Sequence, residues 1–296
     1  MTSGAGATEL RVIAAQAARA AGELLRERFL AGGERAVGSK SSPTDLVSEA
    51  DLAAERAIRA IIGEQRPGDA ILGEEGGETQ EGEGLRWIVD PLDGTVNYLS
   101  GIPLWCVSIA CEDAMGTLAG VVYDPLRDQT FAAVRGGALH VVGPSVRERV
   151  QDDLAAAVIA GGVACATDEE AKRAAKLEKR LFRRVGQRRA LGTAALELAW
   201  AAAGRIDVVY HEQRIHPWDV DAGLFICQRA GLRVHRLEPL EPDLAPRFLA
   251  APAGLAAEVL ELVGPSAKER RRRATERSPL SAERVAEAMR RRRTAD

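Results

Sequence analysis

Aromatic side chains are scarce: Phe, Trp and Tyr together make 4% of these 296 residues. The core must therefore come mostly from Ala, Val, Leu and Ile, within a hydrophobic total of 46%. No apolar run approaches the roughly eighteen residues of a membrane span, so no membrane partner is expected. The first residues lack a basic stretch followed by an apolar core, and no secretory signal is expected either. Cysteine is limited to Cys106, Cys111, Cys165 and Cys227, with no CxxC pair and no ligand spacing to the four histidines. That pattern argues against a disulfide framework or a zinc site and predicts reduced, half-buried thiols in a cytoplasmic protein.

Net charge is small as well, at −3, but it is unevenly spread. Residues 266–296 carry eleven Lys and Arg against five Asp and Glu, a local +6 on a chain that is otherwise −9. Such a tail is either a solvated, partly helical appendage or an arm that touches nucleic acid or an acidic partner. Nothing in it resembles a catalytic motif.

What the chain does have is an alternation of helical and strand patterns. Leu10, Ile13, Ala14 and Ala17 recur at helical spacing and predict a helix from Thr8 to about Leu30. Ser48 with Asp51 forms a capping-box pattern opening a second helix, which stops before Pro67-Gly68. Short apolar runs at 70–72, 105–110, 118–123, 130–134 and 138–142 read as strands, the last two joined by a turn at Gly136-Gly137. The second half predicts helices at 168–183, 194–203 and 218–229, and strands at 206–210 and 232–235. Strands mixed with helices, without an internal repeat, imply layered α/β sheets.

Acidic residues recur where apolar segments end or helices begin. Trp87-Ile88-Val89 empties into Asp90-Pro91-Leu92-Asp93-Gly94-Thr95; Ala70-Ile71-Leu72 empties into Gly73-Glu74-Glu75. Asp51 opens the second helix, and Asp219 follows His216-Pro217-Trp218. Singly, each has a bland explanation: a cap, a solvated turn, or a first-turn acid favoured by the helix dipole. Together they concentrate carboxylate oxygens, the donors that Mg2+ takes, beside backbone N–H groups that suit a phosphate.

The D-P-x-D-G-T segment, G-E-E upstream and W-D-x-x-A-G downstream (Trp218 to Gly223) closely resemble the inositol monophosphatase family. Its members are Mg2+-dependent, lithium-sensitive phosphomonoesterases. Similarity extends through residues 40–51, Gly192-Thr193-Ala194-Ala195, Glu212 and Ile215-His216, and covers roughly residues 8–263. It implies an α/β fold, a layered αβαβα sandwich of the inositol monophosphatase/fructose-1,6-bisphosphatase type. The expected parts are an N-terminal half, 1–145, a C-terminal half, 146–263, and the basic tail, 264–296. It also implies a homodimer acting on a small phosphomonoester.

By the same resemblance, Glu74, Asp90 and the Leu92 carbonyl hold one Mg2+, and Asp90, Asp93 and Asp219 a second, with two or three ions in the site. Thr95 and Asp51 would orient and deprotonate the attacking water, Glu74 would hold it, and Lys40 would balance charge. Gly94 and Thr95 would meet the phosphate together with Asp93 and Asp219, while Gly192, Thr193, Ala194 and Glu212 would face the alcohol. Inositol 1-phosphate is the expected substrate, with histidinol phosphate and 3′-phosphoadenosine 5′-phosphate as alternatives. Asp221, which adds a charge near the site, favours the histidinol amine. Pro217, residues 138–140 and the single Gly231 depart from the family pattern. Two other readings stay open: a haloacid-dehalogenase-type phosphatase, whose acids stand two rather than three residues apart, and an RNA- or polymerase-binding regulator that uses the basic tail.

Overall fold

Helices and strands follow the apolar periodicity closely enough that most predicted elements are present. The computed structural model describes residues 4–32, 37–39, 46–79, 84–144, 151–162, 168–212, 215–237 and 247–263. The first half runs α1 (Gly4–Leu30), a hairpin of β1 (Val37–Ser39) with β2 (Leu46–Ser48), α2 (Glu49–Gln65), β3 (Ala70–Gly73), β4 (Gly77–Glu78) and β5 (Arg86–Asp93). It continues with α3 (Thr95–Leu99), β6 (Cys106–Asp113), β7 (Gly116–Asp124), β8 (Gln129–Val134) and β9 (His140–Val142). The second half runs β10 (Val158–Ala160), α4 (Asp168–Leu181), β11 (Gln187–Arg189), α5 (Ala194–Ala202) and β12 (Val208–His211). It ends with α6 (Pro217–Arg229), β13 (Arg233–Arg236), β14 (Phe248–Ala251) and α7 (Ala253–Val263).

Seven strands form one sheet in the order β4-β3-β5-β6-β7-β8-β9, and five form another in the order β11-β10-β12-β14-β13. In the first, only β3 and β5 run parallel; the meander β5 to β9 is antiparallel. Strand alternation sends Trp87 and Val89 into a core shared with α1 and α2, and Ile88 into a core shared with α5 and α6. Helix α5 and α6 bury their other side against the five-stranded sheet through Leu198, Leu224 and Phe248. The layers are thus α1/α2, seven-stranded sheet, α5/α6, five-stranded sheet, with α4 as the crossover between parallel β10 and β11. Among the described residues this is a mixed α/β fold with two large sheets besides the β1–β2 hairpin.

Contacts divide the chain into a compact unit, Met1–Glu258, and a second unit whose described part is Val259 to Val263. Both sheets belong to the first unit. The expected boundary near residue 145 and the tail from 264 lie outside the described residues. The second helix begins at Glu49, right after the predicted cap position.

One expectation fails. Cys106, Cys111 and Cys227 are free thiols but wholly buried, not half-buried, because each sits on a strand or helix face that points into a core. Burial pushes the Cys106 thiol well above its usual range, which keeps it protonated. Cys165 is outside the described residues. No described helix is long and apolar enough to cross a membrane.

Candidate active site

The site begins with an irregularity in β5. Opposite β6, Asp90 pairs with Ser108 and Asp93 with Cys106, so two residues, Pro91 and Leu92, face the single Val107. Proline cannot donate to the ladder, and a bulge is where a strand tolerates it. The extra residue resets the alternation: Leu92, not Pro91 or Asp93, joins the core beneath α1 and α2. Without the bulge, carboxylates three residues apart would point to opposite faces. With it, Asp90 and Asp93 lie on one face, the side covered by α5 and α6.

That face is acidic. Burial first, then the negative charges of Glu74, Asp93 and Asp219, hold the Asp90 carboxyl well above the ordinary range. The Asp90 Oδ1 accepts the Leu92 N–H at 2.9 Å, within the bulge of the strand. Burial pushes Asp93 up to about 6, against the opposing pull of hydrogen bonds from Thr193 and Ala195. Asp219 stands at the third position of α6, where its Oδ2 accepts the His216 N–H at 2.7 Å in a capping box.

Thr95 opens α3 immediately after the acids. Its hydroxyl lies 3.1 Å from Asp51 Oδ1 and 3.1 Å from the Leu92 carbonyl. One proton serves two acceptors there, and the oxygen's lone pairs can accept from a third molecule. Gly94 takes φ +99°, a left-handed conformation, and a Cβ there would meet the Leu104 carbonyl at 3.0 Å. A residue with a side chain fits neither condition.

From the other half, Thr193 Oγ1 donates to Asp93 Oδ2 at 2.6 Å, and the Ala195 N–H donates to the same oxygen at 2.7 Å. The Thr193 hydroxyl is buried and occupied by Asp93; of the Gly192-Thr193-Ala194 stretch, Gly192 is the exposed member. Glu212 is buried, takes the Tyr210 hydroxyl and lies 3.7 Å from the Arg247 guanidinium. Asp51, Glu74, Asp90, Leu92, Asp93, Gly94, Thr95, Gly192, Thr193, Ala194, Glu212 and Asp219 are all described; Lys40 lies outside the described residues.

Asp221 does not act as its position in sequence suggested. Two residues past Asp219, it lies about 200° further round the helix. There it pairs with Arg236 at 3.3 Å and feels the charge of Arg86, which is at the far end of β5 from Asp90.

Several positioning residues escaped the sequence. Glu55 accepts the Glu75 and Gly76 N–H groups at 2.8 and 2.9 Å and pairs with Arg59, anchoring the turn that carries Glu74. Its place four residues after Asp51, on the same helix face, was the available signal. Asn97 donates to the carbonyls of Leu104 and Leu191 at 2.7 Å each, tying α3 to the loop before Thr193. Glu197 accepts the Leu191 N–H and contacts His211 Nε2. The Gly162 N–H donates to His211 Nδ1 and leaves Nε2 as the donor to Glu197.

These carboxylates could hold a hard divalent cation. Among the described residues no three acidic, His or Cys side chains already stand as a metal cage, because their oxygens engage protein donors and one another. The donor chemistry nevertheless fits: a buried carboxyl surrounded by carboxylates, and raised in pKa for that reason, requires either a proton or a cation.

Fold and site together define a layered α/β protein with a buried carboxylate cluster at the C-terminal end of a central strand, where β5 gives way to α3. Residues 7–278 match the profile of the inositol monophosphatase family. Inositol-1-monophosphatase SuhB of Mycobacterium tuberculosis is 36% identical over 237 residues, covering 77% of this chain and 81% of that one. Nus factor SuhB of Escherichia coli is 35% identical over 220 residues, covering 74% and 82%. The crystal structure of extragenic suppressor protein suhB from Bartonella henselae superposes with a TM-score of 0.79 at 31% identity, covering 87% of this chain and 99% of that one. The chain belongs to the inositol monophosphatase family, a family of phosphomonoesterases.

Proposed function

We propose that this enzyme is a Mg2+-dependent phosphomonoester hydrolase whose substrate is inositol 1-phosphate. The observation that carries the reading is the Asp90 carboxyl, buried among Glu74, Asp93 and Asp219 on the face created by the β5 bulge. Glu74, Asp90 and the Leu92 carbonyl would hold one ion; Asp90, Asp93 and Asp219 would hold another. When bound, Mg2+ supplies positive charge against the phosphate oxygens and the leaving oxygen.

The chain's own groups do the rest. Thr95 Oγ1 donates toward Asp51 and accepts a hydrogen bond from water, so the water proton has a path through the hydroxyl to a carboxylate. Gly94 and Thr95 offer backbone N–H groups to the phosphate. Glu212 offers a carboxylate to ring hydroxyls, oriented by Tyr210 and Arg247. Because Arg236 neutralises Asp221, the acid that would have favoured an ammonium-bearing substrate such as histidinol phosphate is already paired. Free buried thiols suit a cytoplasmic enzyme, and a homodimer completes the proposal.

The test is phosphate release from a panel of phosphomonoesters, with Mg2+ and with or without lithium. Inositol 1-phosphate should be hydrolysed faster than histidinol phosphate or 3′-phosphoadenosine 5′-phosphate, and lithium should inhibit. No Mg2+-dependent release from any of the three would end the assignment.

A further inference from the structure

A chain of hydrogen bonds runs from the carboxylate cluster to Glu212 through a buried acid–imidazole pair, neither member of which the proposed chemistry uses. Glu197 and His211 are 1% and 2% exposed, and Glu197 Oε2 stands 2.7 Å from His211 Nε2. Among the described residues no lysine or arginine pairs with Glu197, so the imidazole is its partner. A carboxylate buried without a cation is costly unless its oxygens are hydrogen-bonded. Each member of this pair therefore turns its other polar atom to a backbone group, and those two groups belong to different walls of the site.

On one arm, Glu197 Oε1 accepts the Leu191 N–H at 2.8 Å, while Asn97 donates to the Leu191 carbonyl at 2.7 Å. Both backbone groups of Leu191 are thereby held, two residues before Thr193, whose hydroxyl fixes Asp93. On the other arm, His211 Nδ1 accepts the Gly162 N–H at 3.3 Å, and the Gly162 carbonyl accepts the Glu212 N–H at 3.3 Å. Gly162 thus grips two successive residues, His211 by its ring and Glu212 by its backbone. The chains meet there without an intervening side chain, since a Cβ on Gly161 would overlap the Tyr210 carbonyl. Phe248, cross-strand from His211, sets its ring centroid 5.1 Å from the imidazole and limits its rotation. The imidazole is a rigid spacer with one nitrogen for each arm.

We infer that His211 is a positioning residue for specificity: its Nδ1, through Gly162, sets where Glu212 stands, and its Nε2, through Glu197, ties that placement to the Gly192-Thr193 wall. The inference rests on the reading of Glu212 as the carboxylate that meets the substrate's hydroxyls. His211 then governs how well the site tells a polyol phosphate from a phosphomonoester with a plain alcohol. It touches neither substrate nor ion, and acts through Glu212 alone.

Steady-state kinetics on the full chain with Mg2+ tests this, using inositol 1-phosphate and p-nitrophenyl phosphate, whose alcohol carries no further hydroxyl. The quantity read is the ratio of kcat/KM for the two substrates. His211→Gln keeps an amide donor for Glu197 but loses the acceptor for Gly162. It should melt near the parent and lower the ratio about fivefold, the size of one lost hydrogen bond, through a raised KM for inositol 1-phosphate. His211→Asn does the reverse: its amide oxygen can take the Gly162 N–H, but the side chain is too short for Glu197. It should melt lower than the parent and hold the ratio within about twofold. Glu212→Gln should itself lower the ratio, and adding His211→Gln to it should lower it no further. Equal losses on both substrates in His211→Gln would mark a merely structural residue and overturn the inference. So would equal ratios in the Gln and Asn variants, or an additive double variant. A ratio that Glu212→Gln leaves unchanged would end the reading of Glu212, and this inference with it; a ratio that responds to Glu212→Gln but not to His211→Gln would end the inference alone.

Discussion

Two kinds of buried acid surround the seven-stranded sheet. Asp69, Asp124 and Glu55 are each matched by an arginine: Arg66 at 2.9 Å, Arg127 at 3.0 Å and Arg59 at 2.7 Å. Among the described residues Asp90 has no such neighbour; the charges acting most strongly on it are those of other carboxylates. Asp69 and Asp90 show the difference in their titration, whereas Asp124 is raised by its deep burial in spite of Arg127. Arg66, Trp87 and the Leu85 N–H outweigh burial and hold Asp69 below the ordinary range, whereas burial and like charge drive Asp90 above it. An acid with its own counter-ion stabilises the fold, while an acid facing other acids stores repulsion that an external cation relieves. Sequence does not separate the two kinds, since both are Asp or Glu near the ends of strands or helices.

The comparison breaks most visibly by mutation. Asp93→Asn should lower kcat by about a thousandfold, because it removes fixed charge from a metal-dependent clamp, while changing the melting temperature little. Asp124→Asn should do the reverse, leaving kcat within about twofold and destabilising the protein by about 2 kcal/mol, since Arg127 loses a fully buried partner. Steady-state kinetics and thermal melts on both variants decide it. Similar kcat losses would erase the distinction.

Thr95→Ala comes next, with an expected loss of about a hundredfold in kcat and little change in KM, as for a group that acts on the attacking water. It is the residue whose hydroxyl joins Asp51 on α2 to the turn after β5, 44 positions further on. A change confined to KM would place Thr95 in substrate binding alone.

Much of this arrangement was legible in the sequence, for identifiable reasons. The apolar runs marked β5 to β8 because largely buried strands leave long Val, Ile and Ala stretches. The D-P-x-D-G-T segment flagged the site because its proline and glycine are backbone requirements, a bulge and a left-handed turn, as well as chemistry. What stayed hidden was pairing across distance. Strands β10 and β14 are three and four residues long and carry no alternation, since β14 is buried throughout. Glu55, Asn97 and Glu197 look like helix-surface polars and acquire meaning only when the backbone groups they hold, at residues 75, 76, 104 and 191, are brought to them. Asp221 misled for the same reason: its partner, Arg236, sits on a different element.

Ion binding offers a milder test. In chelator-treated protein, Asp93 should titrate near 6, above the ordinary value of about 4 for an unfolded chain. The folded state then holds a proton that the unfolded state has released. Its contribution to stability is full below about pH 4 and is lost as pH rises through about 6. Melting temperature without metal should therefore fall between about pH 5 and 7. At neutral pH, Mg2+ at about a hundred times its Kd should restore about 2.7 kcal/mol. The same titrations on Asp69→Asn should show both effects intact, and on Asp93→Asn neither. A pH-independent melt without metal would contradict the view of this cluster as stored repulsion.

The smallest effect should come from Glu55, which belongs to both groups of acids. Its carboxylate is paired with Arg59, as in the structural set, yet its two oxygens hold the N–H groups of Glu75 and Gly76 in the turn that presents Glu74. The turn has little room to find another support. A Cβ at Gly73 or Gly76 would come within 2.6 Å of the Glu55 carboxylate, so the backbone lies directly against it. Glu55→Gln keeps the shape but exchanges one acceptor oxygen for a donor amide, which cannot accept both N–H groups. Stability should drop by about 1 kcal/mol. The Mg2+ concentration for half-maximal activity should rise about fivefold, with kcat at saturating Mg2+ nearly unchanged, because Glu74 is displaced rather than removed. Raised Mg2+ demand would make an arginine-paired acid part of the ion site at one remove. An unaltered Mg2+ profile would return Glu55 to the structural set and leave the line between the two kinds of acid sharp.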